Sequence, residues 1–520
     1  MCRGCVPSSC PGCGKALKRR DFLKGCGLAA ATLAGASSPR SLAEEPRGNR
    51  ARVGLVFLSK EGASWPHPKY EAAGRRREVL SMLRNGCPDI DFVPIVVAGP
   101  ADVPKAIALK DQVDGYLIYV VTLMWNFQPA ITQIGRLGKP MLLADETLGG
   151  SGVFLCGYGD LLRQKIPAAA VASTRLADLV AVARQFDQAN KPGTTPASFA
   201  QRCREVYRGT FPPAGEMKCL DDAVPLTGIG ECLKRFKQSR FLIVTQGRSG
   251  REGNFLGARG VYVGFDEFKA HCGQVDRDEA AQWARRWTGQ AEKVVEPSAG
   301  PIEKAGAVYL ATRQLLKKYG TDSVTMNCLG GFAAGLLPAY PCLGFMQILD
   351  DGGQGVCQAM PDDTVSMLMA RILTGRPGYV SNPVLDSSKN QVIYSHCVAT
   401  TKAFGPQGPT NPFRIRTLHD RDPRSVCNES LLPPGYMTTS FRVSCAEKKM
   451  IVHQAKAVGN LGADRGCRTQ LVAEVRGDIG KLFDRWGAAF DWHRVTVYGD
   501  VKEPLVEFAK ALGLGIIEEA

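Results

Sequence analysis

Outside its N-terminus the chain has no run of 18 or more apolar residues, which excludes a polytopic membrane protein. It has no G-x-S-x-G, no H-E-x-x-H and no Walker loop. Those gaps remove the local signatures of an α/β-hydrolase elbow, a zincin and a P-loop nucleotide site. Histidine is scarce, with six residues, and none pairs at i+4 with another ligand on a clear helix. Internal repeats and low-complexity tracts are missing. Glycine (57) and proline (32) are raised but follow no collagen-like period. No basic stripe carries interleaved aromatics, so no nucleic-acid partner is expected despite a formal charge of +15. What is there is a chain of 520 residues, 44% hydrophobic and 22% charged, near the average for soluble globular proteins. That length suggests about three domains.

The first 43 residues read as an address. They hold seven basic residues and one acid, and their removal leaves a charge of about +9. Lys18-Arg19-Arg20-Asp21-Phe22-Leu23-Lys24 resembles the twin-arginine export motif. A short, weakly apolar stretch, Gly27–Ala36, follows. Ser41-Leu42-Ala43 then reads as a small-x-small cleavage site before Glu44. The expected mature protein is extracytoplasmic, periplasmic where such a compartment exists, and has no membrane span after processing. Cys2, Cys5, Cys10 and Cys13 form two C-x-x-C pairs, a zinc-ligand spacing. Their short spacer, and their place ahead of a segment to be removed, favour an over-long translation start. Thirteen cysteines remain beyond Ala43, an odd number, so at least one thiol is free or intermolecular. Most sit singly in apolar settings and read as small buried hydrophobes.

From Arg52 the pattern is α/β. Apolar runs at 53–58, 92–97, 115–121 and 140–144 alternate with helical stretches at 70–83 and 103–110. Strands spaced by helices predict a parallel, doubly wound sheet. Asp145 and Glu146 fall at a strand's C-terminal end, as a helix-capping pair or as ligand-binding acids. A polar stretch from Gln188 to Pro213 suggests a boundary. A second α/β unit follows, with strands at 241–244 and 324–328 and helices at 276–286 and 305–318. Gly247-Arg248-Ser249-Gly250 reads as a strand-to-helix turn, or less plainly as a phosphate or sugar cradle. Beyond 340 come one clear helix, 364–373, and short strands at 392–396, 413–418, 437–443, 450–457 and 494–500. The expected division is a signal peptide at 1–43, α/β domains at 52–215 and 216–340, and a β-rich domain at 341–520.

Spacing alone gives little chemistry. His396 ends an apolar strand, and a lone strand histidine is more often a satisfied core residue. Asp362 and Asp363 follow Pro361 at a helix start, a capping and dipole arrangement. A resemblance adds more. Pro341-Cys342-Leu343-Gly344-Phe345 with Asp350-Asp351-Gly352, then Gly355-Val356-Cys357-Gln358-Ala359, and the tail Trp492-His493-Arg494-Val495-Thr496-Val497-Tyr498-Gly499-Asp500, are similar to the L-fucose isomerase-like family, relatives of L-arabinose isomerase.

That resemblance implies two doubly wound α/β domains followed by a β-rich C-terminal domain of fucose/arabinose isomerase type. It implies aldose–ketose isomerisation of a small sugar through an ene-diol held by a divalent metal, usually manganese (Mn2+). By position His493 carries over as the metal-binding histidine. The family's C-E-x-D motif stands here as Cys357-Gln358-Ala359-Met360. Gln358 and Met360 thus replace carboxylates, and residues 323–349 contain no Asp or Glu. A thioether is a poor ligand for a hard cation. Asp362 or Asp363 then becomes the substitute, Asp362 as metal ligand and both as catalytic carboxylates, with His396 and Tyr498 binding substrate. The alternative is an exported carbohydrate-binding relative without catalysis. The resemblance also implies a homo-oligomer, a hexamer or trimer, with ligand bound where the second and third domains meet.

Overall fold

The computed structural model describes residues 50–213, 216–486 and 491–520. The export signal, its cleavage after Ala43 and the cysteine pairs at 2–13 lie outside the described residues. The first sheet has strands β1 (Ala51–Leu58), β2 (Ile90–Val97), β3 (Gly115–Val120), β4 (Met141–Asp145) and β5 (Ala169–Val171) in the order β2-β1-β3-β4-β5. Every ladder in it is parallel. Continuous apolar runs such as Val53–Leu58 suit this, because the strand is buried on both faces, as strands of parallel sheets are.

The second sheet contains β6 (Arg240–Thr245), β7 (Glu252–Phe255) and β8 (Ala258–Gly264). Past β9 (Lys293–Val294) it adds β10 (Ser323–Met326) and β11 (Gln354–Cys357), in the order β11-β10-β6-β8-β7. Only the β7–β8 ladder is antiparallel. The turn at Gly247–Gly250 therefore leads into a strand rather than a helix. Both glycines are left-handed, with φ of 112° and 97°. The 21-residue helix Ala299–Tyr319 ends at left-handed Gly320. The helix expected from Thr364 begins at Pro361, whose fixed φ suits a first turn, and stops at left-handed Gly375.

The third sheet is built from β12 (Tyr379–Asp386) and β13 (Gln391–His396). Beyond β14 (Phe413–Arg416) and β15 (Cys427–Ser430) it continues with β16 (Met437–Ser444), β17 (Lys449–Asn460), β18 (Thr469–Val475), β19 (Arg494–Tyr498) and β20 (Gly515–Glu518). Its order is β16-β19-β12-β13-β18-β17-β20, and β16 also pairs with β17. That extra ladder closes six antiparallel strands into a barrel, and β20 adds to it in parallel. β14 pairs with both β15 and β9, tying the barrel segment to the second unit. No described helix is long and apolar enough to cross a membrane. The chain is thus a mixed α/β protein with a parallel sheet and a barrel-containing sheet.

Candidate active site

The first unit reaches the barrel through polar bridges. Glu146 is buried and takes Arg75 at 2.6 Å, Arg465 at 2.7 Å and Tyr119 Oη at 2.9 Å. Its neighbour Asp145 accepts from Ser151 Oγ at 2.5 Å. Both acids are therefore engaged within the protein. Gly152, in the helix Ser151–Arg163, lets Trp492 close onto that helix, since an added Cβ would lie 2.4 Å from the indole.

A cavity of about 370 Å³ opens where the three units meet. That is within the usual range for a small-molecule site. Loops after β1 and β3 supply Trp65, Leu123, Met124 and Trp125. Segments after β10 and β11 supply Cys328 and Gln358. The barrel supplies Asn382, His396, Cys397, Cys467, Trp492 and His493, and the chain after β14 supplies His419 and Asp420. In parallel α/β sheets, the ends that face ligand are these carboxyl ends. Trp492 stacks edge-on to Trp65 at 6.1 Å and to Trp125 at 5.7 Å. Its Nε1 donates to the Pro383 carbonyl at 2.8 Å, which fixes this wall.

His493 is held from behind. Its Nδ1 lies 2.6 Å from Asp363 Oδ2, and Arg442 Nε donates to Asp363 Oδ1 at 2.6 Å. Burial pushes the Asp363 carboxyl up, but the Arg442 and His493 charges outweigh it and hold the group well below the usual carboxylate range. The ring nitrogen left to face the cavity is Nε2. His396 lies edge-on to His493 at 5.6 Å between ring centroids. Burial, then the neighbouring His493, pushes its pKa down to about 4. Several polar atoms in this wall are buried without a hydrogen-bond partner: both ring nitrogens of His396, Asn382 Oδ1, His419 Nδ1 and Trp65 Nε1. Buried polar groups are nearly always paired, so a wall of orphans marks a surface made for a polar ligand.

The sequence-expected residues are thus placed as follows. His493, Asp363 and His396 come together here although about 130 residues separate Asp363 from His493. Asp362 turns instead to the Cys445 amide at 3.2 Å, and burial raises its pKa. Tyr498 lies away from the cavity, donating to the Pro433 carbonyl at 2.8 Å. Gln358 lines the cavity in the left-handed conformation, with φ of 67°, followed by Ala359 at 52°. Two consecutive non-glycine residues there store backbone strain of roughly 1–3 kcal/mol each. Met360 is buried, and its amide donates to Thr325.

Manganese needs oxygen donors. Both Asp363 oxygens are already committed, and among the described residues no group of three metal-type donors includes His493 or Asp362. The cavity donors do not fit an oxygen-held manganese ion. What sequence reasoning missed is sulfur. Cys397, Cys467 and His419 converge at this wall, with their donor atoms within 4.8 Å of one another. The signal available was the adjacency His396-Cys397 at the end of a strand.

Fold and site define a mixed α/β protein whose cavity, with an oriented histidine and unpaired polar atoms, is shaped for a small polar molecule. The chain is similar to the sulfoquinovose isomerases of Priestia aryabhattai and Priestia megaterium, at 25% identity over 243 residues, 44% of this chain and 52% of theirs. It is 22% identical over 263 residues to that of Clostridium sp. (strain MSTE9), 46% of this chain and 55% of the relative. The chain spans about half the length of the curated relatives it matches. No family model matches.

Proposed function

We propose that the protein isomerises a neutral sugar between aldose and ketose in this cavity, with His493 moving the proton. The observation that carries the reading is the Asp363–His493 pair at 2.6 Å, which fixes one ring nitrogen and presents the other. In the open-chain sugar, Nε2 takes the proton from C2. The C2–H electron pair becomes the C1=C2 double bond of the ene-diol while the carbonyl π pair moves to the C1 oxygen, which takes a proton from a water hydrogen-bonded to both O1 and O2 and later recovered from O2–H. Returning the proton to C1 as the O2 proton leaves gives the ketose, with no net oxidation. His396 and Asn382 hydrogen-bond the sugar hydroxyls, and the tryptophans shield the ene-diol from water. The distant likeness to sulfoquinovose isomerases supports the reaction class. The wall supports a neutral substrate rather than a sulfonated one, because no Lys or Arg lines it and its charged residue is Asp420. We also propose export by the twin-arginine route, a division into domains at 52–215, 216–340 and 341–520, and a homo-oligomer.

The test is a panel of neutral pentoses, hexoses and deoxy sugars incubated in D2O. Ketose formation with solvent deuterium at C1 or C2 is expected, and His493→Gln should cut kcat by about 10²–10⁴. Binding without exchange for every sugar on the panel would sink the proposal.

A further inference from the structure

The cavity wall holds more soft donors than a proton-transfer site requires. β13 and β18 are antiparallel neighbours whose last ladder pair is His396 with Thr469. Just beyond it Cys397 leaves β13 and Cys467 leads into β18, so the two thiols emerge from adjacent strand ends. His419, on the chain after β14, completes the group. The two sulfurs and one imidazole nitrogen all lie within 4.8 Å of one another. Cys397 and Cys467 are buried, at 6% and 5% exposure, and all three residues line the cavity. Two further observations point to a ligand at this spot. His419 Nδ1 is buried without a hydrogen-bond partner, and the adjacent His396 has neither ring nitrogen satisfied.

We propose that Cys397, Cys467 and His419 form a zinc-type metal site with its fourth coordination position open to the cavity. Two thiolates and an imidazole are a set for zinc or another borderline-to-soft ion. Three protein ligands with one open position is the pattern of catalytic rather than structural zinc. The fourth nearby sulfur, Cys427, does not close the set. Its Sγ donates to the Thr417 carbonyl at 3.4 Å, and it falls outside the group of mutually close donors. Tetrahedral zinc with bonds of about 2.0–2.3 Å needs its donors within about 4 Å of one another, a spacing compatible with the 4.8 Å limit on this group. On the isomerase reading, an ion held by Cys397, Cys467 and His419 would supply Lewis-acid polarisation of the sugar carbonyl. The metal site itself does not depend on that reading.

The experiment measures metal on the full chain without substrate. Protein equilibrated with zinc under reducing conditions and then desalted should hold one equivalent per chain. Cobalt should replace it with a thiolate-to-metal charge-transfer band, a readout that needs no variant. Cys397→Ala and Cys467→Ala should each weaken zinc binding by tenfold or more, whereas Cys427→Ala and the distant Cys87→Ala should retain it. Azide should shift the cobalt spectrum if the fourth position is open. Absence of both zinc uptake and a cobalt–thiolate band in folded wild-type protein would overturn the site. So would a Cys397–Cys467 disulfide in protein isolated from the native host. Loss of the ion in Cys427→Ala, with no azide shift, would overturn the open position. Metal binding without sugar isomerisation would leave this site standing and remove the isomerase reading.

Discussion

Asp145 ends β4 and is buried, with Ser151 Oγ its short-range partner and the Glu146 carboxylate beside it. Burial, the largest influence, pushes its pKa up to about 7, against a partial lowering by the Ser151 hydrogen bond. The folded state therefore holds a proton that the unfolded chain releases near pH 4. The contribution of this group to stability is fully present below that value and is lost as pH rises through the window to about 7. Asp145→Asn should flatten this slope and raise stability at pH 8 by roughly 2–4 kcal/mol. Urea unfolding of both proteins at pH 5 and pH 8 checks it, and an unchanged slope would refute it. At this scale the sequence was least informative. Charged residues in a linear pattern read as surface, yet Asp363 with Arg442 and Glu519 with Arg494 are buried pairs. Partners about 80 and 25 residues apart leave no local spacing to read.

Among the elements, the helix Ser151–Arg163 is placed by what its glycines allow. Gly152→Ala gains up to about 1 kcal/mol of helix propensity. Against that, the new Cβ would press on an indole that is 4% exposed and pinned through Nε1. Overpacking of this kind costs roughly 1–3 kcal/mol, so it wins. Gly152→Ala should lower the melting temperature by several degrees and raise the sugar KM more than it lowers kcat, since Trp492 moves while His493 keeps Asp363. Calorimetry and steady-state kinetics check both parts. Elements themselves were legible where periodicity was strong. The first four apolar runs became β1 to β4, the helix expected at 305–318 lies within Ala299–Tyr319, and that expected at 276–286 is Arg277–Gln290 with Asp276 as its N-cap. β20 escaped because Gly-Ile-Ile-Glu is too short to show alternation. The turn at Gly247–Gly250 was misread because β7, Glu-Gly-Asn-Phe, carries almost no strand-forming residues.

At the scale of the whole molecule, the tail motif around His493 could be aligned from sequence, but the barrel closure through β16 and β17 could not, because it depends on long-range register. The cysteines looked like scattered core residues for the same reason. Cys397 and Cys467 are 70 positions apart in the chain and meet only when β13 finds β18. One feature of the cavity reaches beyond the protein's own contacts. The chain is strongly basic, with a formal charge of +15, yet no Lys or Arg stands in the cavity wall. A neutral ligand entering such a wall gains nothing from the surface potential, so its arrival is unsteered diffusion, and added salt has little to screen. The sugar KM should change less than about twofold between 20 mM and 500 mM sodium chloride, whereas a sulfonated substrate drawn in by basic residues would bind more weakly as salt rises. The same indifference would let one catalyst work unchanged across surroundings whose ionic strength it does not control.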